Sequence, residues 1–198
     1  MNSSFEDIQI LLMSSFKETL AMEIKKPILE EHIENLINNL VAAIEVTDNA
    51  EVFKAILEIL VLVVELYPDE FYTQFRDTID LLFGWHVDHT QPLSNIEFIS
   101  TSLQKLSHHF KYNLEFSVSL IENFLEDITN YSVELNGSES LDHVTVLILA
   151  LNTVLKCLEA SFHPNNKSVS GEFIITCLAS IIKTVTDALD SYLPENLV

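Results

Sequence analysis

Apolar residues recur at helical spacing along almost the whole chain, and this periodicity limits what the chain can fold into. In the stretch 28–45, one broad apolar face opposes a face of glutamates and asparagines, as in an amphipathic helix. The same stepping returns in the stretches 96–110, 114–128 and 174–185. The stretch 114–128 carries two apolar rows, which indicates a helix packed against neighbours on two sides. These rows are Leu114, Val118, Ile121, Leu125 and Ile128, and Phe116, Leu120 and Phe124.

The periodicity and the turn signals between its segments together predict eight helices. They cover about 5–22, 28–45, 50–66, 69–87, 94–109, 111–135, 141–161 and 171–190. The first helices of successive pairs begin near Phe5, Ala50, Ser94 and Leu141, at separations of 45, 44 and 47 residues. HEAT and armadillo repeats contain about 40–47 residues each. We therefore predict an all-α, HEAT/armadillo-like α-solenoid of about four antiparallel helix pairs, with a compact helical bundle as the alternative.

The predicted solenoid forms a single segment, 1–198, with approximate repeats at 1–47, 48–92, 93–139 and 140–198. Asp48 with Glu51 has the spacing of a capping box and marks the start of a helix. Pro68 lies at a first-turn position and is followed by two acidic residues, which suit a helix start. Asn136-Gly137 and the stretch 163–170 are the clearest loops.

The composition excludes several classes of function. The chain has 10 basic and 30 acidic residues, a net charge of -20, yet it is 48% hydrophobic, so it folds and is no disordered acidic tail. Its 3 glycines and 5 prolines disfavour all-β folds and Gly-rich phosphate loops. Phosphate binding needs clustered basic residues, and Arg76 is the sole arginine, so we expect no direct nucleic-acid binding.

The cysteines and the apolar stretches indicate the compartment. Cys157 and Cys177 lie in apolar helical segments and are predicted to be buried free thiols in a reducing environment. The first residues lack the basic region of a signal peptide. The most apolar run, 59–64, is bounded by Glu58 and Glu65 and is too short to span a membrane. We expect a soluble protein of the cytoplasm that makes no membrane contact, with the nucleus as a second compartment.

The densest group of polar side chains lies in the stretch 75–92, FRDTIDLLFGWHVDHTQP. His86, Asp88 and His89 could in principle hold a metal, but no third ligand follows at a recognisable spacing. The competing interpretation is a helix C-terminus, where histidines face the negative end of the dipole. Arg76 reaches Asp80 at i+4, which predicts an ion pair within a helix or between repeats.

Trp85 is the only tryptophan, and it follows Gly84. We expect Gly84 to let a neighbouring helix approach closely and Trp85 to be buried between helices of adjacent repeats. A partner-facing anchor is the alternative for Trp85. The chain has no nucleophile motif, P-loop or kinase Gly-rich loop, so we expect no enzyme, no catalytic residues, no cofactor and no metal.

The stretch 75–92 closely resembles the N-terminal helical region of a phosphatidylinositol-3-kinase-related protein kinase, the one that acts in nonsense-mediated mRNA decay. The resemblance rests on Phe75, Arg76, Asp77, Asp80, Gly84, Trp85, His86, Asp88, His89, Thr90 and Gln91. A second match lies in the stretch 116–128, at Phe116, Ser117, Leu120, Phe124, Leu125, Glu126 and Asp127. The resemblance covers the middle and C-terminal two-thirds of the chain, while residues 1–65 match in character more than in motif.

The resemblance implies a HEAT-repeat arch in a giant Ser/Thr kinase that docks a two-subunit regulator. The family's catalytic loop and metal-binding motif have no counterpart here, so the resemblance assigns any kinase activity to a longer parent. Kinases of this family prefer Ser or Thr followed by Gln, which makes Thr90 a possible phosphosite, whereas Thr73 is expected to be shielded within a helix.

Two rival interpretations stay open. A free-standing HEAT-like adaptor could bind a basic protein partner through its acidic surface, which the charge of -20 supports. A small metalloenzyme would rest only on His86, Asp88 and His89.

Overall fold

The computed structural model describes residues 5–21, 32–134, 138–161, 179–187 and 190. Its α-helices are α1 (Phe5–Ala21), α2 (Ile33–Val46), α3 (Ala50–Leu66), α4 (Phe75–His86), α5 (Leu93–Lys105), α6 (Leu114–Glu134) and α7 (Ser138–Ser161). Two 3-10 helices, Asp69–Gln74 and Ser107–Tyr112, precede α4 and α6. Residues 179–187 are also helical, and the described residues contain no strand. The predicted all-α class is confirmed and is consistent with an α-solenoid, whereas the HEAT-like arrangement stays a prediction.

The chain divides into two compact units, and the first comprises residues 1–83 and 93–106. Its central element is α3, which packs against α1, α2 and α5. Helix α3 is apolar on nearly every side, as expected of a helix with neighbours around it. Its buried residues are Val52, Phe53, Ile56, Leu57, Ile59, Leu60, Val61, Val63 and Val64.

The second unit comprises residues 84–92 and 107–198. Within it, α7 packs against α6 and against the 3-10 helix Ser107–Tyr112. Both predicted apolar rows of α6 contribute to the core, because Leu120 and Phe124 of one row and Ile121, Leu125 and Ile128 of the other are buried. Whether the two units form one solenoid domain with the predicted repeats stays a prediction.

Cys157 of α7 is a buried free thiol, as predicted, and burial raises the pKa of that thiol to about 12. Cys177, the two predicted loops and most of the predicted eighth helix lie outside the described residues.

Helix α7 contains an apolar segment that is longer than the run 59–64. The stretch Leu141–Ala160 within α7 is long and apolar enough to cross a membrane, by length and composition alone. Val144, Leu147, Leu151 and Val154 of this stretch are buried. Because α7 packs against α6 and the adjacent 3-10 helix, we interpret the stretch as a core helix of its unit.

Two of the predicted helices are each divided in the structure. The predicted helix 69–87 begins as a 3-10 helix and becomes α-helical only at Phe75. The predicted helix 94–109 ends at Lys105, and the Leu106 amide then donates to both Ser102 O and Leu103 O. Such shared bonds tighten a helix end into 3-10 geometry.

The N-cap of α3 is Asn49, so the predicted capping role of Asp48 is wrong. The Asn49 side-chain oxygen accepts hydrogen bonds from the amides of Glu51 and Val52, each at 3.0 Å. Asn and Asp are equally good caps, so the sequence alone does not separate the two adjacent positions.

Candidate interaction surface at residues 75–92

The motif of residues 75–92 is divided between the two compact units, with 75–83 in the first and 84–92 in the second. In the first part, Phe75 is fully buried and meets Phe71 edge-on, with ring centroids 6.1 Å apart. Arg76, Asp77 and Asp80 lie on the exposed side of α4. This part therefore combines a core anchor with a charged surface.

The predicted attraction between Arg76 and Asp80 is present but is outweighed. Partial burial and the neighbouring carboxylate of Asp77 raise the pKa of Asp80, while the guanidinium of Arg76 lowers it. The net pKa of Asp80 is raised. The effect of burial on the pKa of Asp80 is therefore larger than the opposite effect of the Arg76 guanidinium.

Gly84 does not have the role that the sequence suggested. It is exposed, and a Cβ added there would meet nothing within 4 Å. The expected close approach of a neighbouring helix at Gly84 is therefore wrong. Trp85 is half-buried, so its expected full burial is not met, and the partner-facing interpretation stays a prediction.

His86 is fully buried at the end of α4, with Nε2 3.3 Å from the Thr153 hydroxyl of α7. That hydroxyl donates to Leu149 O, so the pair is satisfied when the His86 Nε2–H donates to the Thr153 oxygen. Burial lowers the pKa of His86 to about 4, although a backbone hydrogen bond acts in the opposite direction. His86 is thus neutral at physiological pH and does not act as a cation at the helix end.

Asp88 organises the connection between α4 and α5. Its Oδ1 accepts hydrogen bonds from the Thr90 amide at 2.9 Å and the Thr90 hydroxyl at 2.6 Å, and its Oδ2 accepts one from Gln91 Nε2 at 3.2 Å. The hydrogen bond from the Thr90 hydroxyl is the largest cause that lowers the pKa of Asp88; slight burial opposes it. Thr90 is exposed in this turn.

Thr73, the other threonine followed by glutamine, is also exposed, on the 3-10 helix Asp69–Gln74. Thr73 therefore lies in a helix, but the expectation that the helix shields it from a kinase is wrong.

His89 joins a stack of rings that the sequence analysis missed. Its ring centroid lies 3.7 Å from that of His143 of α7, and the His143 ring stacks on Tyr131 of α6 at 4.6 Å. His86, Asp88 and His89 therefore do not converge on one point, because each contacts different residues. Among the residues that the structure describes, no group of three or more His, Cys, Asp or Glu side chains could hold a metal ion.

The second motif, in the stretch 116–128, lies on α6. Ser117 is fully buried, and its hydroxyl donates to Asn113 O at 3.0 Å. Leu120, Phe124 and Leu125 are buried, whereas Glu126 and Asp127 are exposed. The apolar residues of this motif therefore form core, and its acidic residues face solvent.

Comparison with known proteins points to one kind of kinase. Over 208 residues, and 98% of its own length, the chain is 27% identical to the zebrafish (Danio rerio) serine/threonine-protein kinase SMG1. It is 26% identical over 155 residues, 78% of its length, to the serine/threonine-protein kinase Smg1 of Drosophila melanogaster. The chain is homologous to a part of the SMG1 kinases.

This homology covers only a small part of each SMG1 relative. The chain spans 6% of the length of the zebrafish protein and 5% of the length of the fly protein. No model of a protein family matches the chain, and no solved structure matches it. The resemblance to this kind of kinase is nevertheless confirmed, and the match covers 98% of the chain, so it extends into the stretch 1–65. The matches at the individual residues of the two motifs stay a prediction.

Proposed function

We propose that this chain is a non-catalytic, HEAT-type scaffold segment of an SMG1-like kinase and that it docks regulatory protein subunits. The observation that carries the proposal is homology along 98% of the chain to 6% of a serine/threonine kinase. A chain without nucleotide-binding or nucleophile motifs can contribute structure and contacts to such a protein. In this proposal the segment acts in nonsense-mediated mRNA decay, in the cytoplasm and the nucleus, and contacts proteins rather than RNA or membranes.

The helical structure suits docking. Helical repeats stack into extended surfaces whose helix faces bind protein partners. The motif of residues 75–92 offers exposed Arg76, Asp77 and Asp80 in one unit and half-buried Trp85 with exposed Thr90 in the other. Of these residues, arginine and tryptophan are enriched in protein interfaces relative to the rest of the surface, whereas aspartate is depleted there.

The test is to identify the natural polypeptide that carries this sequence. An antibody raised against the chain is used to purify its parent from cells, and mass spectrometry then identifies the peptides of that parent and of the proteins bound to it. The proposal expects kinase-domain peptides in the same polypeptide and stoichiometric regulatory subunits. A free polypeptide of 22.5 kDa without a kinase domain would contradict it.

The second candidate is a free-standing acidic adaptor for a basic protein partner. The net charge of -20 favours it, because such a field attracts basic partners from solution. The same purification separates the two candidates, since the adaptor would be recovered as a small polypeptide with a basic partner.

A further inference from the structure

A groove in the first unit is lined by matching faces of two helices. Helix α3 contributes residues 58, 61, 62 and 65, and α5 contributes residues 98, 101, 102 and 105. Both sets have the i, i+3, i+4, i+7 spacing of one helix face. Among the described residues, Lys17 of α1 also lines the groove, and the cavity has a volume of about 180 Å³.

The floor of this groove presents apolar surface. Val61 is buried, and Leu62 and Phe98 are half-buried. The hydroxyl of Ser102 donates to Phe98 O at 3.0 Å, and that of Thr101 donates to Glu97 O at 2.8 Å. Because both hydroxyls are satisfied within their own helix, an apolar side chain can enter the groove without leaving them unpaired.

The charges at the rim of the groove are arranged differently at its two ends. Lys17 pairs with Glu58, which neutralises both. Glu65 lies in the last turn of α3, where no basic residue offsets the negative helix end. Within the described residues, neither Glu65 nor Lys105 forms an ion pair. The charged residues of the lining are two lysines and two glutamates, so the preference for a basic partner rests on the net charge of -20 and on the negative helix end beside Glu65.

We propose that this groove docks a basic protein segment that inserts one large apolar side chain between α3 and α5. The inserted side chain contacts Leu62 and Phe98, and a neighbouring lysine or arginine of the partner pairs with Glu65. The net charge of -20 steers such a segment towards the chain. The proposal rests on the docking function proposed above and specifies its surface and the chemistry of its partner.

The test uses the full chain and synthetic hexapeptides as probes. The first peptide has leucine and phenylalanine between two pairs of lysines, the second has glutamates in place of the lysines, and the third has serines in place of the apolar pair. Methyl NMR signals of Val61 and Leu62 report on the groove. We expect the first peptide to shift the Val61 and Leu62 signals in a saturable way. The other two peptides should bind at least about tenfold more weakly.

Two tryptophan substitutions, one in the groove and one away from it, form a matched pair of variants. Thr101→Trp fills the rim of the groove from an exposed position and should weaken binding of the first peptide by about tenfold or more. Thr145→Trp makes the same change at an exposed threonine of α7 whose hydroxyl also donates to the carbonyl four residues earlier, at 2.7 Å. This control should leave binding unchanged.

Three results would overturn the proposal: shifts that map away from Val61 and Leu62, equal binding of the acidic peptide, or an unaffected Thr101→Trp variant. Each is measured on the isolated chain. They are therefore distinguishable from failure of the scaffold function, which is measured on the parent polypeptide.

Discussion

His86 is a single residue whose protonation should control part of the folding stability. Its pKa is lowered from 6.5 to about 4 in the folded chain. Above pH 6.5 the ring is neutral in both states, but between pH 6.5 and 4 only the unfolded chain takes up the proton. Stability should therefore fall across this window, by up to about 3 kcal/mol, and the loss should stop below it.

Chemical denaturation at a series of pH values measures this loss. His86→Gln removes the titrating ring, so its free energy of unfolding should fall less between pH 6.5 and 4 than that of the wild type. His108→Gln is the matched control, because His108 is exposed and its replacement should keep the wild-type profile. Equal pH profiles for His86→Gln and the wild type would mean that the ring is not buried as described.

Thr90 is the residue at which we predict phosphorylation when the active parent kinase is incubated with ATP. Thr90 is exposed, and it is followed by Gln91, the pairing that the family resemblance implies for a substrate of such a kinase. A phosphate there adds about −1.5 to −2 charges beside Asp88 and removes the hydroxyl donor, so it should loosen the turn that Asp88 holds. Phosphopeptide mass spectrometry measures the modification, with Thr73-Gln74 as an internal comparison. An unmodified Thr90 beside other filled Ser/Thr-Gln sites would refute this prediction.

Helix α4 contains a glycine that its packing does not require. Since a Cβ at Gly84 would meet nothing within 4 Å, Gly84→Ala should stabilise the chain by about 0.5–1 kcal/mol through helix propensity. Ala42→Gly makes the reverse change at an exposed position of α2 and should destabilise by a similar amount. Both are measured by thermal or chemical denaturation. If Gly84→Ala destabilised the chain, this result would instead support the close approach of a neighbouring helix that the sequence suggested.

The positions of the helices were predictable because apolar periodicity is a local signal. Helix α3 was predicted with the same ends, residues 50 and 66, as those observed. The two 3-10 helices were not predicted, because buried side chains such as Phe71 and Phe75 suit a continuous α-helix equally well. The change lies in backbone hydrogen bonds that side-chain spacing does not encode.

The candidate site was only partly predictable for a different reason. The sequence selected His86 and His89, but not the residues that they meet. Thr153 lies 67 residues beyond His86, and His143 is brought to His89 by the packing of α7. A shift of a buried pKa depends on that tertiary placement, so no local motif could have predicted it.

The net charge of the chain predicts that it does not bind RNA. With 30 acidic and 10 basic residues, it has no track of cations to replace the counterions of a phosphate backbone. Fluorescence anisotropy with a labelled single-stranded RNA at physiological salt should show no saturable binding. Micromolar or tighter binding that weakens steeply with added salt would contradict this prediction.

We propose that this segment docks proteins and leaves catalysis to the rest of an SMG1-like kinase. The most direct measurement removes the segment from the parent polypeptide and then quantifies, in the same purified sample, the bound regulatory subunits and the phosphorylation of a serine/threonine peptide. We expect the regulatory subunits to be lost while phosphorylation of the peptide persists. Retention of the subunits, or loss of phosphorylation with the subunits still bound, would contradict it.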